Sequence, residues 1–242
     1  MDLPMKLKPF PQVFRSMNSP KLYLLGTLLF VGGSLQAQST GLGLWTGVNA
    51  QYRRGHSLEL HANAQVRFSD NITVTRAYLG EMGLSYKLNK HWEIGAYYRY
   101  TGRLKLNKET EAWYYRPYHR FYGEVSYDHK LGKNLKLDYR LRYQNQFKDD
   151  DNALVADKSY LRNKLEFSYD TPTRLTPFAS ADFFYQIGDS FDQVRYKAGV
   201  NFKINKQQSF DLSAFKDVPL TGGTAEGLVI GATYKVKLGK KK

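Results

Sequence analysis

Apolar and polar residues alternate along most of this chain with a period of two. In the segment LKLDYRLRYQNQF, which begins at Leu135, every odd position except Asn145 is leucine, tyrosine or phenylalanine, and every even position is polar. Successive side chains of a β-strand point to opposite faces, so this pattern predicts a strand with one apolar and one polar face. Similar alternation recurs from Gly43 to Leu238 without a helical period. The chain is therefore predicted to be all-β.

A soluble sandwich would also alternate, so the length of the strands has to decide between the two classes. The alternating segments run for about 11 to 14 residues, whereas strands of soluble proteins average about 5 to 6 and about 9 to 11 tilted residues cross a bilayer. This length favours a membrane-spanning barrel, with the apolar face toward lipid and the polar face toward a lumen.

The connections between the segments differ in size. Tight turns are predicted at LNKHW, HKLGKN, TPTR and INKQQ, and longer polar loops at Leu104–Tyr114, Lys148–Lys158 and Asp217–Glu226. Outer-membrane barrels have short periplasmic turns and longer external loops. Aromatic residues also recur near segment ends on the apolar face, as expected for interfacial girdles. They are Trp92, Tyr100, Tyr127, Phe147, Tyr169 and Tyr185.

Together these features predict an antiparallel up-and-down transmembrane β-barrel of 10 to 12 strands. About eleven segments can be counted, but bacterial single-chain barrels use even numbers of strands with both ends periplasmic. We therefore expect 10 or 12 strands and prefer 12. The segment Gly43–Arg53 fits this scheme least well, because counting back from the C-terminus places its start on the outside.

The N-terminal region has the pattern of a secretory signal. Lys21 precedes an apolar run at Leu22–Leu35, and QAQS follows it, which predicts cleavage after Ala37. A retained anchor helix is the alternative, but about 14 apolar residues fall short of the roughly 20 that span a bilayer. Residues 1–37 are thus interpreted as an N-terminal extension and signal peptide, with a possible true start at Met17, and residues 38–242 as the barrel.

Cysteine content and charge narrow the chemistry. The chain has no cysteine, which leaves an exported protein without disulfides or thiolate sites. The net charge of +14 would suggest nucleic acid for a cytoplasmic protein, but export and the interleaving of both signs argue against that partner. The excess is interpreted as lumen and loop charge, and Lys240–Lys242 as a solvated tail.

A cluster of charged side chains is predicted to face the lumen. Because opposite charges in a narrow barrel would pair across it, we expect a salt-bridged and occluded interior, narrowed further by Tyr97 and Tyr122. The alternative is a narrow path for small solutes with a basic bias. The cluster comprises Glu59, Arg67, Glu81, Glu93, Arg99, Arg120, Glu124, Asp138, Arg140, Arg142, Arg162, Lys164, Glu166, Asp182, Arg195 and Lys197.

No catalytic centre is predicted. A hydrolase of membrane lipid would need a serine, a histidine base and an orienting acid. His61 is expected to be a hydrogen-bonded structural residue beside Glu59, and nothing links His119 to Ser159 near the outer rim. The histidines are His56, His61, His91, His119 and His129.

No metal or cofactor site is predicted either. The histidine spacings match no ligand motif. The segment KDDDNALVADK carries Asp149, Asp150, Asp151 and Asp157, but it lacks the glycine and terminal glutamate of an EF-hand loop. It is interpreted as a solvated acidic loop, and Val218–Gly227 as a flexible loop without a phosphate cradle.

Four segments resemble an uncharacterised bacterial outer-membrane barrel family, domain-of-unknown-function family 2490, particularly its members from Bacteroidota. They are LWTGVNAQY, YLGEMGLSYKLNKHWEIGAYYRY, RPYHRFYGEVSYDHKLGKNLKLDYRLRYQNQF and YLRNKLEFSYD. The resemblance implies a barrel in the outer membrane and carries no established activity or catalytic residue. The C-terminus departs from the usual final aromatic of such barrels, since it ends in Leu238 and GKKK.

The sequence thus predicts a non-enzymatic, porin-like barrel of the bacterial outer membrane with a structural or envelope role. The expected partners are outer-membrane lipid, lipopolysaccharide phosphates at basic rim residues, and the barrel assembly machinery; no nucleic acid is expected. The alternatives left open are a narrow channel, an outer-membrane lipid-modifying enzyme and a soluble periplasmic β-protein.

Overall fold

The computed structural model describes residues 41–150, 153–222 and 227–239, so the predicted extension and signal peptide at 1–37 and the tail at Lys240–Lys242 lie outside the described residues. The described chain forms eleven strands and no helix. No helix in these residues is therefore long and apolar enough to cross a membrane. The strands are β1 (Gly43–Arg54), β2 (Leu58–Ser69), β3 (Val74–Lys87), β4 (Trp92–Leu106), β5 (Trp113–Lys130), β6 (Leu135–Asp150), β7 (Ala153–Tyr169), β8 (Leu175–Gln186), β9 (Phe191–Lys203), β10 (Gln208–Pro219) and β11 (Val229–Leu238).

The strands close into one barrel in chain order. Each strand pairs antiparallel with the next, and β1 pairs with β11 in parallel, from Gly43 opposite Val229 to Tyr52 opposite Leu238. The predicted all-β barrel is confirmed, and its described strand number lies within the range of 10 to 12. The expectation of an even number was wrong, because a parallel pair closes the barrel at little cost: parallel pairing is only slightly less stable per residue than antiparallel pairing.

The parallel closure also explains why the first segment fitted the sequence scheme poorly. We call the end of the barrel at which β1 begins the upper mouth, and the end at which β11 ends the lower mouth. An up-and-down barrel with an odd number of strands begins at one mouth and ends at the other. The chain accordingly enters the first strand from the upper mouth, as the count from the C-terminus had indicated.

The turns at the lower mouth are short, as predicted. In two of them an asparagine side chain accepts hydrogen bonds from two backbone N–H groups of the turn. Asn89 Oδ1 accepts hydrogen bonds from the backbone N–H groups of His91 and Trp92, at 2.8 and 2.9 Å. Asn205 Oδ1 does the same for Gln207 and Gln208, both at 2.8 Å. Asparagine closes such turns by mimicking the backbone, which explains the Asn-Lys pair in both LNKHW and INKQQ.

Two of the loops predicted at the upper mouth, Leu104–Tyr114 and Lys148–Lys158, lie partly in strands. The segment Lys148–Lys158 was wrong as a loop, because β6 continues to Asp150 and β7 begins at Ala153. A register shift between Gln146 and Phe147 leads into this extension, and the pairing continues through Asp149 opposite Leu154. Backbone pairing between β6 and β7 therefore continues beyond the residues at which apolar and polar side chains stop alternating. Among the described strands, β5, β6 and β7 are the longest.

The two faces of the barrel wall differ sharply. The inner face buries polar side chains, with Gln144 only 2% and Ser85 only 1% exposed. The outer face carries apolar side chains that are more than one third exposed on every described strand: Val48, Leu60, Leu84, Ile94, Phe121, Tyr143, Leu165, Phe183, Tyr196, Leu212 and Leu238. The protein thus turns its apolar face outward and its charges inward.

Candidate functional site in the barrel lumen

Two cavities of the interior, both lined by described residues, share no lining residue. The upper cavity opens toward the upper mouth and has a volume of about 670 Å³, with Trp45, Arg67 and Phe184 among its walls. The lower cavity has about 370 Å³ and is lined by residues that include Arg53, Glu59 and Lys237. The two cavities lie toward opposite mouths of the barrel.

A layer of aromatic and charged side chains lies in the middle of the barrel. Tyr97 of β4 and Tyr122 of β5 stack with ring centroids 4.8 Å apart and planes inclined by 11°. The Arg142 guanidinium lies 3.9 Å from the Tyr122 centroid and donates to Glu124 through Nε and Nη2, at 2.9 and 2.6 Å. These four residues, which we call the central layer, occupy the bore where sequence reasoning expected it to be narrow.

Two glycines make room for the central layer. A Cβ at Gly83 would lie 2.6 Å from Cγ of Tyr97, and one at Gly95 would lie 2.6 Å from its Cε2. The Tyr97 ring therefore lies flat against the bare backbone of β3 and β4. A larger residue at either glycine would push the ring into the lumen.

Most of the charged side chains assigned to the lumen from the sequence form ion pairs in the structure. None of them is fully exposed. Glu81 pairs with Arg99, and Arg162 with Asp182. The other members that pair within the described residues are Glu59 (with Arg53), Glu93 (Lys87), Glu124 (Arg140 and Arg142), Asp138 (Lys136), Lys164 (Glu166) and Arg195 (Asp217).

Three members of the predicted cluster have no carboxylate partner among the described residues. Arg67 donates to Gln65 at 2.8 Å and lies 3.6 Å from the Trp45 ring centroid. Arg120 donates to Gln146, and its buried Nε has no hydrogen-bond partner in the described part of the chain. Lys197 Nζ lies 5.6 Å from the Phe178 ring centroid, and Lys197 lines neither cavity.

Sequence reasoning missed several residues of the interior. Arg103 lines the upper cavity and stacks 4.8 Å over Tyr118. It lies four positions after Arg99 on β4, so the alternation would have placed it inward had the strand been extended past Tyr100. Asp217 was likewise taken as a loop residue, although it shares the inward positions of β10 and binds Arg195 through both oxygens at 2.6 Å.

The upper cavity is strongly basic. Its described lining includes eight basic side chains and three acidic ones. One acid, Asp217, is held by Arg195, and another, Asp192, accepts a hydrogen bond from Tyr160 at 3.0 Å. Two of the three acids therefore have side-chain partners, the third, Asp70, is exposed, and part of the basic set has no carboxylate partner among the described residues.

A serine, a histidine and a glutamate do meet near the lower cavity. His61 Nε2 lies 2.9 Å from Ser85 Oγ and 3.9 Å from Glu59 Oε1. In a catalytic triad the acid holds Nδ1 while Nε2 faces the serine, whereas both groups here approach the same nitrogen. Glu59 is also held by Arg53 at 2.6 Å. The cluster therefore has the geometry of a structural hydrogen-bond network.

The structure does not bring His119 and Ser159 together. His119 Nδ1 lies 2.7 Å from Tyr98 Oη, and Ser159 donates to Asn145 at 2.7 Å. The two side chains are committed to different partners on different strands.

The acidic segment near Lys148 forms ion pairs and hydrogen bonds along the wall. Asp150 pairs with Arg116 and Lys148 at 3.4 and 3.1 Å, and Asp157 accepts from Gln146 at 2.6 Å. Asp151 lies outside the described residues. Within the described ranges no group of three or more histidine, aspartate or glutamate side chains is arranged to hold a metal ion.

Comparison with protein families gives one match. The family model for a protein of unknown function, DUF2490, matches residues 42–217. The chain belongs to the DUF2490 family. The match runs from the residue before β1 into β10, so the strand that closes this DUF2490 barrel, β11, lies beyond it. The resemblance inferred from the sequence is thereby confirmed. A comparison with curated proteins found no match.

Proposed function

We propose that this DUF2490 protein is a barrel of the bacterial outer membrane that serves a structural, non-enzymatic role in the envelope and whose lumen is closed to free diffusion. The observation that carries the proposal is the inversion of polarity: a closed barrel turns its apolar face outward along every described strand. In water such a surface would expose far more contiguous apolar area than soluble monomers tolerate. In lipid it is the stable arrangement, and closure leaves no unpaired edge.

The height of the barrel suits a bilayer. A strand of 12 residues, the length of β1 and β2, extends about 40 Å. At the tilt of about 40° that is usual in barrels it rises about 30 Å, which is the thickness of the hydrocarbon core. Inner-face charges such as Arg142 are kept away from lipid, where each would cost about 2 to 4 kcal/mol at the midplane.

Cell fractionation tests the membrane address. We expect the protein in the outer-membrane pellet, with a gel mobility that shifts on boiling because a closed barrel resists detergent until it is heated. A soluble band with unchanged mobility would contradict the proposal, and would mean that a partner covers the apolar face.

Closure of the lumen is supported by the central layer and by the separation of the two cavities. We expect no single-channel conductance from purified protein in planar bilayers. Replacement of Tyr97 and Tyr122 by alanine should open a path and give a measurable current. The Tyr52→Ala/Tyr86→Ala variant is the control, since both tyrosines are exposed on the outer face.

A narrow channel is the second candidate, and the basic lining of the upper cavity favours it. It predicts conductance of the unmodified protein with a preference for anions. A current of that kind, abolished by heat unfolding, would replace the closed-lumen proposal by the channel.

A further inference from the structure

Four arginines line the upper cavity without a carboxylate partner in the described part of the chain; one of them, Arg76, is exposed, and the other three lie on three different strands and are partly buried. These three are Arg67 of β2, Arg103 of β4 and Arg120 of β5, which we call the arginine triad. Arg67 and Arg103 rest on the Trp45 and Tyr118 rings. Guanidinium groups held flat against rings keep their N–H edges available for an acceptor.

One N–H of the triad is buried with nothing to bond. Arg120 donates through Nη2 to Gln146, while its Nε is buried and has no partner in the described residues. Native proteins seldom leave a buried donor of a charged group unsatisfied, and an exception points to strain, function or a missing ligand. Since Arg120 lines the cavity, an acceptor inside it could reach this side chain.

The triad is also crowded by like charges. The strongest charge interactions of Arg67 are with other arginines, Arg99, Arg195, Arg120 and Arg103. Those of Arg120 are with arginines as well. The cavity carboxylates do not relieve this repulsion, because Asp217 is bound by Arg195 and Asp192 by Tyr160, while the third, Asp70, is exposed and pairs with no arginine of the triad. An anion in the cavity would relieve it.

We propose that the upper cavity is a binding site for a phosphate group that carries two or more negative charges. A phosphate presents three or more oxygens in different directions, so it can accept from guanidinium groups on three strands at once; a carboxylate presents two oxygens in one plane. The cavity of about 670 Å³ exceeds a phosphate alone. The ligand is therefore a phosphorylated molecule, which is either a free solute or a lipid headgroup at the upper mouth.

The inference deepens the proposed function and rests on it only for the side of the membrane from which the ligand enters. The site itself needs only the closed barrel. Binding is therefore measured on purified protein in an uncharged detergent, so that it succeeds or fails independently of the cell fractionation.

Isothermal titration calorimetry with inorganic phosphate and pyrophosphate tests the site. We expect both to bind, pyrophosphate more tightly, and each of Arg120→Gln and Arg103→Gln to weaken pyrophosphate binding about tenfold or more, since each removes charge-assisted hydrogen bonds. The matched control is Lys197→Gln, which removes an inward cation without a carboxylate partner that lines neither cavity; it should bind as the unmodified protein does. The heat-induced gel shift of each variant shows that the barrel is intact.

Two results would overturn the site. One is no heat of binding for phosphate or pyrophosphate above that for chloride; the other is equal loss of affinity in the triad variants and in Lys197→Gln, which would indicate a general charge effect. To separate the two sources, pyrophosphate titrations are repeated in phosphatidylcholine vesicles with and without phosphatidic acid. Competition by phosphatidic acid supports a headgroup ligand, and unchanged pyrophosphate binding supports a free solute.

Discussion

Arg142 and Glu124 show how this protein keeps charge inside a wall whose outer face is apolar. Both side chains are about nine-tenths buried and bonded to one another, and the Tyr122 ring covers the guanidinium. Burying two charges is costly, and their attraction compensates only when the geometry is good and the remaining donors are bonded. The pair therefore stabilises the folded state much less than the loss of one partner would destabilise it.

A double-mutant cycle measures this asymmetry. Glu124→Gln should lower the free energy of unfolding by about 3 to 5 kcal/mol, because it leaves the Arg142 charge buried and unpaired. Arg142→Met should cost less, because Arg140 Nε still lies 3.8 Å from Glu124. The double variant should cost less than the sum of the two. Guanidinium-induced unfolding in detergent micelles gives the three values; additive losses would mean that water reaches the pair.

Gly83 and Gly80 form a second matched test on the same strand. Alanine at Gly83 would overlap the Tyr97 ring, whereas a Cβ at Gly80 meets nothing within 4 Å. We expect Gly83→Ala to lower the free energy of unfolding by about 1 to 3 kcal/mol through overpacking, and Gly80→Ala to change it little. Equal effects would show that Tyr97 moves aside without cost.

Individual residues could be placed on a face from the sequence, but not with a partner. The period of two assigns Arg99 or Asp182 to the inner face, because the parity of a strand position fixes its direction. It does not say that Asp217 binds Arg195, or that Ser85 meets His61, since those contacts depend on the register between strands and on the tilt of the barrel. The basic upper cavity could not be predicted from the sequence either, because its lining also depends on the register between strands.

The parallel pair of β1 and β11 is the element that sets this barrel apart from the even-stranded rule. The sequence contains eleven alternating segments, and counting them was sufficient; the even number came from a regularity of other barrels and has no basis in this chain. The extension of β6 and β7 past Gln146 was also missed. Backbone pairing needs no alternation of side chains, so the hydrophobic pattern ends before the strands do.

Cysteine cross-linking tests the register of this closure. Thr46 lies opposite Ala232, and both face outward. The chain has no cysteine of its own, so Thr46→Cys/Ala232→Cys should form a single disulfide that changes the gel mobility of the unfolded protein until a reductant is added.

The control for the cross-link is Thr46→Cys/Thr233→Cys. Thr233 is one residue further along β11 and faces inward, which carries the two sulfur atoms to opposite faces of the wall. A cross-link in this control and not in the first variant would place β11 one residue out of register.

At the scale of the whole molecule, the barrel wall has an outer surface and an inner surface that differ in polarity. The outer one is apolar and the inner one is charged, and both follow from the same alternation. The sequence therefore predicted the class of fold. The alternation also indicated which side chains share a face in most segments, but it assigned no face to the first one, Gly43–Arg53. The sequence could not predict the division of the lumen into two cavities, which depends on how the central layer packs.

Paired leucine substitutions test whether lipid covers the outer face. Leu84 on β3 and Leu131 in a lower turn are 50% and 48% exposed. In a bilayer, Leu84→Arg should destabilise the barrel by about 2 to 4 kcal/mol and Leu131→Arg by about 1 kcal/mol or less. The measurement is the amount of heat-shifting protein in the outer membrane. An equally small loss of heat-shifting protein in both variants would indicate that water covers both positions.

The odd strand number has a topological consequence for biogenesis. Because β1 begins at one mouth and β11 ends at the other, epitopes inserted just before Gly43 and just after Gly239 would emerge on opposite sides of any bilayer that the barrel spans. If the barrel spans a membrane as proposed, one flank would be translocated during assembly, and antibodies applied to intact cells would label a single epitope and reveal which mouth meets the exterior.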